Sequence, residues 1–126
     1  MSKSPASHYV LVVDDNPFVA HALGKLLQRD GYKVKIAYDG ESALAITRHF
    51  DLDAVILDID LPGKNGYEIA QTLKKELTPR TPLIALTGYG RTEDKERAKE
   101  AGFDHHLTKP ILVKEVEVLF KDPDKE

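Results

Sequence analysis

Five polar side chains stand where apolar runs end, and their types define a chemistry. Asp14 and Asp15 follow YVLVV (9–13), Asp58 follows Val55, Ile56 and Leu57, Thr87 ends PLIALT (82–87), and Lys109 follows FDHHLT (103–108). Three carboxylates drawn together repel by roughly 4 kcal/mol per pair at about 4 Å and an effective dielectric near ~20, so they call for a cation. Oxygen donors that leave positions open to water suit Mg²⁺. Each group also has a plain reading: Asp58 or Asp14 as a helix cap, Thr87 as a turn hydroxyl, Lys109 as a solvated surface ammonium. Chemistry becomes the better reading only if the chain's elements bring all of them to one rim.

The runs that precede these groups are the elements that must do so. Tyr9 to Val13, the stretch into Asp58, and Pro82 to Thr87 are continuous aliphatic segments ended by turn residues, which predicts strands buried on both faces. Lys33 to Tyr38 alternates polar and apolar and predicts a strand near an edge, and Phe103 to Thr108 predicts a short last strand. Between them lie helices. Asn16 as cap and Pro17 as first residue open one, with Val19, Leu23, Leu26 and Leu27 on its apolar face until Gly31. A second runs from about Glu41 with Ala43, Ile46 and Phe50. A third starts near Asn65 with Ile69, Ala70, Leu73 and Leu77, and ends around Thr78 and Pro79. Arg91 to Ala101, stopped by Gly102, has only Ala98 and Ala101 as apolar anchors and is predicted to be the most easily displaced. A last helix carries Leu112, Val116, Leu119 and Phe120.

Strands alternating with helices over short connections predict a flavodoxin-like, doubly wound five-stranded parallel sheet of order 2-1-3-4-5 with five helices. In such sheets ligands bind outside the carboxyl ends of the strands. Four of those ends would then deliver acid pair, acid, hydroxyl and ammonium to one crevice.

With 126 residues the chain has the size of one domain. Residues 1–8 read as a disordered leader, 9–121 as the domain and 122–126 as a frayed tail. Eighteen basic against 21 acidic side chains give a formal charge of -3 without a basic cluster, which argues against direct nucleic-acid binding. No cysteine is present, so thiolate metal sites are excluded. No run approaches the roughly 18 apolar residues of a membrane span, and no signal-peptide core opens the chain, so a cytoplasmic location is expected.

The motifs VVDD, LDIDLPGKNG, ALTG and LTKP, in that order and spacing, resemble the receiver domain of bacterial two-component response regulators from Tyr9 to about Phe120. LTGYG and AGFDHHLTKP look most like receivers joined to hybrid histidine kinases. The resemblance implies that Asp58 is the phosphoacceptor, taking a phosphoryl group from the phosphohistidine of a histidine kinase or histidine phosphotransfer protein. It implies Mg²⁺ held by Asp15, Asp58 and the backbone carbonyl of Asp60, with Asp14 acting through water, and Lys109 offsetting phosphoryl charge. Thr87 would report the phosphoryl group and His106, where Tyr or Phe is usual, would be the switch residue and, as a histidine, would make the switch sensitive to pH. Asp60 and Tyr89 would tune phosphate lifetime, Tyr89 by shielding it from water, and the Lys109 to Pro110 bond would be cis. Output would pass to a downstream protein through the fourth helix, fifth strand and fifth helix, and the domain would be a signalling phosphoacceptor, not a turnover enzyme.

Two rivals come from other classes. Asp58 and Asp60 form a DxD, which resembles the nucleophile motif of haloacid-dehalogenase-type phosphatases, although that motif usually follows the first strand. A flavin binder would need a hydroxyl- and glycine-rich loop after strand one, where this chain has Asp14, Asp15, Asn16 and Pro17. Adjacent strand residues point to opposite faces, so His105 and His106 are not expected to share an ion. His21 and His49 are expected on helix surfaces.

Overall fold

The computed structural model describes residues 9–59, 66–77, 81–88, 92–109 and 111–121, the side chains of 92–94, 113, 120 and 121 excepted. The expectations for the leader, for Asp60, Asn65, Thr78, Pro79, Tyr89 and Arg91, for the Lys109 to Pro110 bond, for the Phe120 side chain and for the tail lie outside the described residues. Strands β1 (Tyr9–Val13), β2 (Lys33–Ala37), β3 (Ala54–Asp58), β4 (Leu83–Thr87) and β5 (His105–Thr108) alternate with helices α1 (Pro17–Arg29), α2 (Gly40–His49), α3 (Gly66–Glu76), α4 (Thr92–Ala101) and α5 (Val113–Lys121). All strand pairs are parallel and the order is β2-β1-β3-β4-β5, as the alternation of elements predicts.

Continuous aliphatic strands need cover on both sides, and they have it. Leu11, Val13, Val55, Leu57, Leu83 and Ala85 face one core with Ala43, Ile69, Ala70, Leu73 and Ala98 from α2, α3 and α4. Val10, Val12, Ile56, Ile84 and Leu86 face the other with Ala20, Leu23 and Leu27 of α1 and Val116 and Leu119 of α5. The alternating strand β2 lies at the edge and is only partly covered.

Several boundaries and faces differ from the sequence reading. In α1 the buried residues are Ala20, Leu23, Gly24 and Leu27, while Val19 and Leu26 are exposed. The contact face is set by small residues that carry little apolar signal: a Cβ on Gly24 would lie 3.3 Å from Ile36 Cδ1, so the helix approaches β2 closely. Strand β2 stops at Ala37, and the hydroxyl of Tyr38 instead lies 2.8 Å from His21 Nε2. Phe50 falls outside α2 and stays partly exposed. Its ring centroid lies 5.8 Å from that of Tyr9, with Lys35 Nζ 4.5 Å over it and Lys33 Nζ 5.9 Å over Tyr9. Strand β5 begins at His105, because Phe103 is buried just before it with its N–H donated to the Ala98 carbonyl at the end of α4. Leu112 precedes α5 and is exposed.

Caps fix where the helices start. Asn16 Oδ1 accepts from the N–H groups of Phe18 and Val19 at 3.0 and 3.3 Å, and Asp39 Oδ1 accepts from Ser42 N–H at 2.7 Å. Helix α3 starts against the backbone of β3's exit: a Cβ at Gly66 would stand 2.5 Å from Ile59 Cα and 2.8 Å from its carbonyl oxygen. Backbone cannot yield as a flexible side chain can. Gly66→Ala should therefore destabilise the fold by about 1–3 kcal/mol, read as a fall in the urea midpoint with an unchanged m-value.

Candidate functional site

The strand ends converge as the sequence reading requires. Asp14 follows β1 and its N–H donates to the Ala37 carbonyl of β2 at 3.1 Å. Asp58 is the last residue of β3 and lies beside Leu86 in the register, so Thr87 stands one step further along β4. Ligand oxygens of Asp14, Asp15 and Asp58 all lie within 4.8 Å of one another. Asp14 and Asp58 are buried, whereas Asp15 is exposed. Lys109 Nζ donates to Asp58 Oδ2 at 2.8 Å, and its backbone N–H donates to the Thr87 carbonyl at 2.8 Å, which ties the end of β5 to that of β4. Thr87 is buried.

Asp14 bears the electrostatic load. One of its oxygens accepts the Asn16 N–H at 2.9 Å, which forms the turn into α1, but among the described residues Oδ2 is buried with no hydrogen-bond partner. Burial pushes the carboxyl up to about 6 from an ordinary 3.8; the Asn16 N–H opposes this, and the charge of Asp58 adds to the rise. An orphaned buried oxygen beside two further carboxylates, all hard oxygen donors, is a set that a divalent cation relieves. The residues present fit such an ion.

The two histidines of β5 lie on opposite faces, as expected from the strand's period. His105 is in register with Ile84 of the α1/α5 core and His106 with Ala85 of the other. His105 is buried and His106 half-buried. His21 and His49 are on exposed helix positions, bonded to the Tyr38 hydroxyl and, through Nδ1, to the Ala45 carbonyl. Sequence reasoning passed over Phe18, which is 87% exposed at the first turn of α1, two residues beyond Asn16. Its signal was present: an aromatic residue out of phase with the helix's apolar face.

A doubly wound sheet with an acid cluster and an ammonium at its carboxyl edge defines the class, and comparison with known proteins supplies the family. Residues 10–120 match the response regulator receiver domain family, and the chain belongs to it as a receiver domain of two-component response regulators. A curated relative, the probable transcriptional regulatory protein TcrX of Mycobacterium tuberculosis, is 37% identical over 107 residues, covering 85% of this chain but 45% of the relative. The chain thus spans less than half the length of the curated relatives it matches. A solved response regulator of Burkholderia pseudomallei, with a phosphorylated aspartic acid, a calcium ion and citrate, is similar with a TM-score of 0.84 and 26% identity over 94% of this chain and 69% of that one. The receiver domain of Ssk1 from Saccharomyces cerevisiae, in a co-crystal with the histidine phosphotransfer protein Ypd1, has a TM-score of 0.80 and 25% identity over 90% of this chain and 86% of that one. These likenesses give no support to a haloacid-dehalogenase-type phosphatase. Among the described residues no helix is long and apolar enough to cross a membrane.

The raised Asp14 carboxyl has a signed consequence. Folding binds its proton more tightly, so the fold loses stability as pH climbs from about 4 through about 6, and the loss is complete above that range. In EDTA, Asp14→Asn should raise Tm near about pH 7.5, and the gain should fade as pH drops below about 6. A gain independent of pH would contradict this account.

Proposed function

We propose that Asp58 is the phosphoacceptor, and the observation that carries the reading is its buried carboxylate, bonded to Lys109 at 2.8 Å inside a cluster of three acids. Attack by an Asp58 oxygen on a phosphohistidine whose other ring nitrogen carries a proton forms an O–P bond and breaks the N–P bond, leaving neutral imidazole on the donor and an acyl phosphate here. A later water attack at phosphorus releases inorganic phosphate and restores the carboxylate. Lys109 already neutralises one Asp58 oxygen and stands where charge on the incoming oxygens would gather. Asp15 and Asp58, with the Asp60 carbonyl and with Asp14 through water, would hold Mg²⁺, which when bound offsets the charge of acids and phosphoryl oxygens alike. Thr87 donates its hydroxyl to the phosphoryl group and draws the end of β4 inward, with His106 as the side chain that follows. Asp60 and Tyr89 set the lifetime of the phosphate.

The phosphodonor is a histidine kinase or a histidine phosphotransfer protein; the Ypd1 co-crystal of a similar receiver supports this class. Phe18 stands exposed in the first turn of α1, three residues past the acid pair in the chain, and offers an apolar contact to such a donor. Output passes to a downstream protein through α4, β5 and α5. A groove of about 480 Å³ between α4 and β5, lined by Lys95, Lys99, Phe103 and His106, supports that surface. Lys95 and His106 also line a second groove that reaches Glu115 of α5. The domain works in the cytoplasm as a signalling element without steady turnover and without binding nucleic acid itself.

Incubated with acetyl phosphate and Mg²⁺, the protein should gain roughly 80 Da, one PO₃H, and Asp58→Asn should gain nothing; equal gain in both would remove the assignment. Phe18→Ala should slow transfer from a phosphohistidine donor at least about fivefold and leave the acetyl phosphate rate unchanged. A loss shared by both donors would place Phe18 in folding, not docking.

A further inference from the structure

Helix α4 has little to hold it. Its buried apolar side chains are Ala98 and Ala101, whereas α3 beside it buries Ile69, Ala70 and Leu73. Besides their shared core, an aromatic and a guanidinium join the two: Arg97 Cζ of α4 lies 4.5 Å above the ring of Tyr67. The Tyr67 ring stands edge-on to Phe103, centroids 6.5 Å apart and planes at 84°. Tyr67 is the second residue of α3 and follows Gly66, which presses on the backbone of Ile59, the residue next to Asp58. Ile59 N–H in turn donates to Leu86 of β4 at 3.1 Å. A contiguous path therefore runs from the phosphoacceptor's chain neighbour, through the head of α3, to a helix whose buried apolar side chains are alanines.

Resting on the phosphoacceptor reading, we propose that the Arg97–Tyr67 contact is a latch that holds α4 in its unphosphorylated position and sets the threshold of the switch. Tyr67 is fixed by α3's buried face, while α4 is fed directly from the end of β4 where Thr87 sits. An inward shift of that end carries Arg97 with it and leaves Tyr67 behind. The contact thus has different strength in the two arrangements, which is what biasing an equilibrium requires. Its removal should favour the phosphorylated arrangement by a factor set by one partly solvated cation–π contact, roughly two- to fivefold.

The test uses the full chain with Mg²⁺ and beryllofluoride, which occupies the place of a phosphoryl group on a carboxylate, and reads its affinity by calorimetry. Arg97→Ala and Tyr67→Leu should each bind roughly two- to fivefold more tightly, and the double variant no more tightly than either, since both remove one contact. Arg97 is exposed, so Arg97→Ala leaves the core intact and decides the matter if Tyr67→Leu fails to fold. Equal affinities or additive gains would overturn the latch while the phosphoacceptor reading stands. A wild type that binds no beryllofluoride would remove that reading and the latch together.

Discussion

Like charges forced together are the constraint around which this fold is arranged. Asp14 and Asp58 are buried at the ends of adjacent strands, with Asp15 close by, and nothing in an aliphatic sheet favours that placement. The sheet enforces it because β1, β3 and β4 are covered on both faces and cannot slide without exposing Val, Ile and Leu side chains. Lys109 relieves part of the repulsion from the far side. The remainder is left as a demand for a cation and for a group that can accept its charge. Stability and chemistry are thus opposed at one point, as is common where a site is preorganised.

The sheet's order and the five converging groups were legible because they depend on long-range pattern: aliphatic runs mark buried strands, and each run ends in its polar group. What the sequence left obscure is local and depends on size. The inner face of α1 could not be read from Val19 and Leu26, since the close approach to β2 is governed by Ala20 and Gly24. Phe50 continues the helical spacing of α2, yet aromatic and cationic contacts at the sheet edge hold it outside the helix. Phe103 has the composition of a strand residue, but its N–H closes α4 before β5 begins. In each case a specific neighbour overrode the periodic signal. The contact of Tyr67 with Arg97 was hidden for a related reason: the two are 30 positions apart, and no spacing rule joins them.

The helices divide the work unequally. Those on the α1/α5 side are anchored by Leu23, Leu27, Val116 and Leu119, and α3 by Ile69 and Leu73, so they form a fixed frame. Helix α4 is attached by alanines, a cation over a ring, and Phe103 and Asp104 beyond its end. Asp104 accepts from Lys74 at 2.7 Å and from Leu83 N–H at 2.8 Å, so the chain just past α4 is pinned to α3 and β4. The helix is thus held at its exit and loosely along its length, which favours pivoting over detachment.

The edge strand β2 carries a different kind of message. An open parallel edge offers its backbone to any other extended chain, and two hydrophobic rings beside it would make that offer more attractive. Here the ammonium groups of Lys33 and Lys35 are drawn over Tyr9 and Phe50, so the same cations that mask the rings must be stripped of water before a foreign strand can settle. Resistance to self-association in crowded solution is built into that corner of the sheet, far from the acids and independent of their charge.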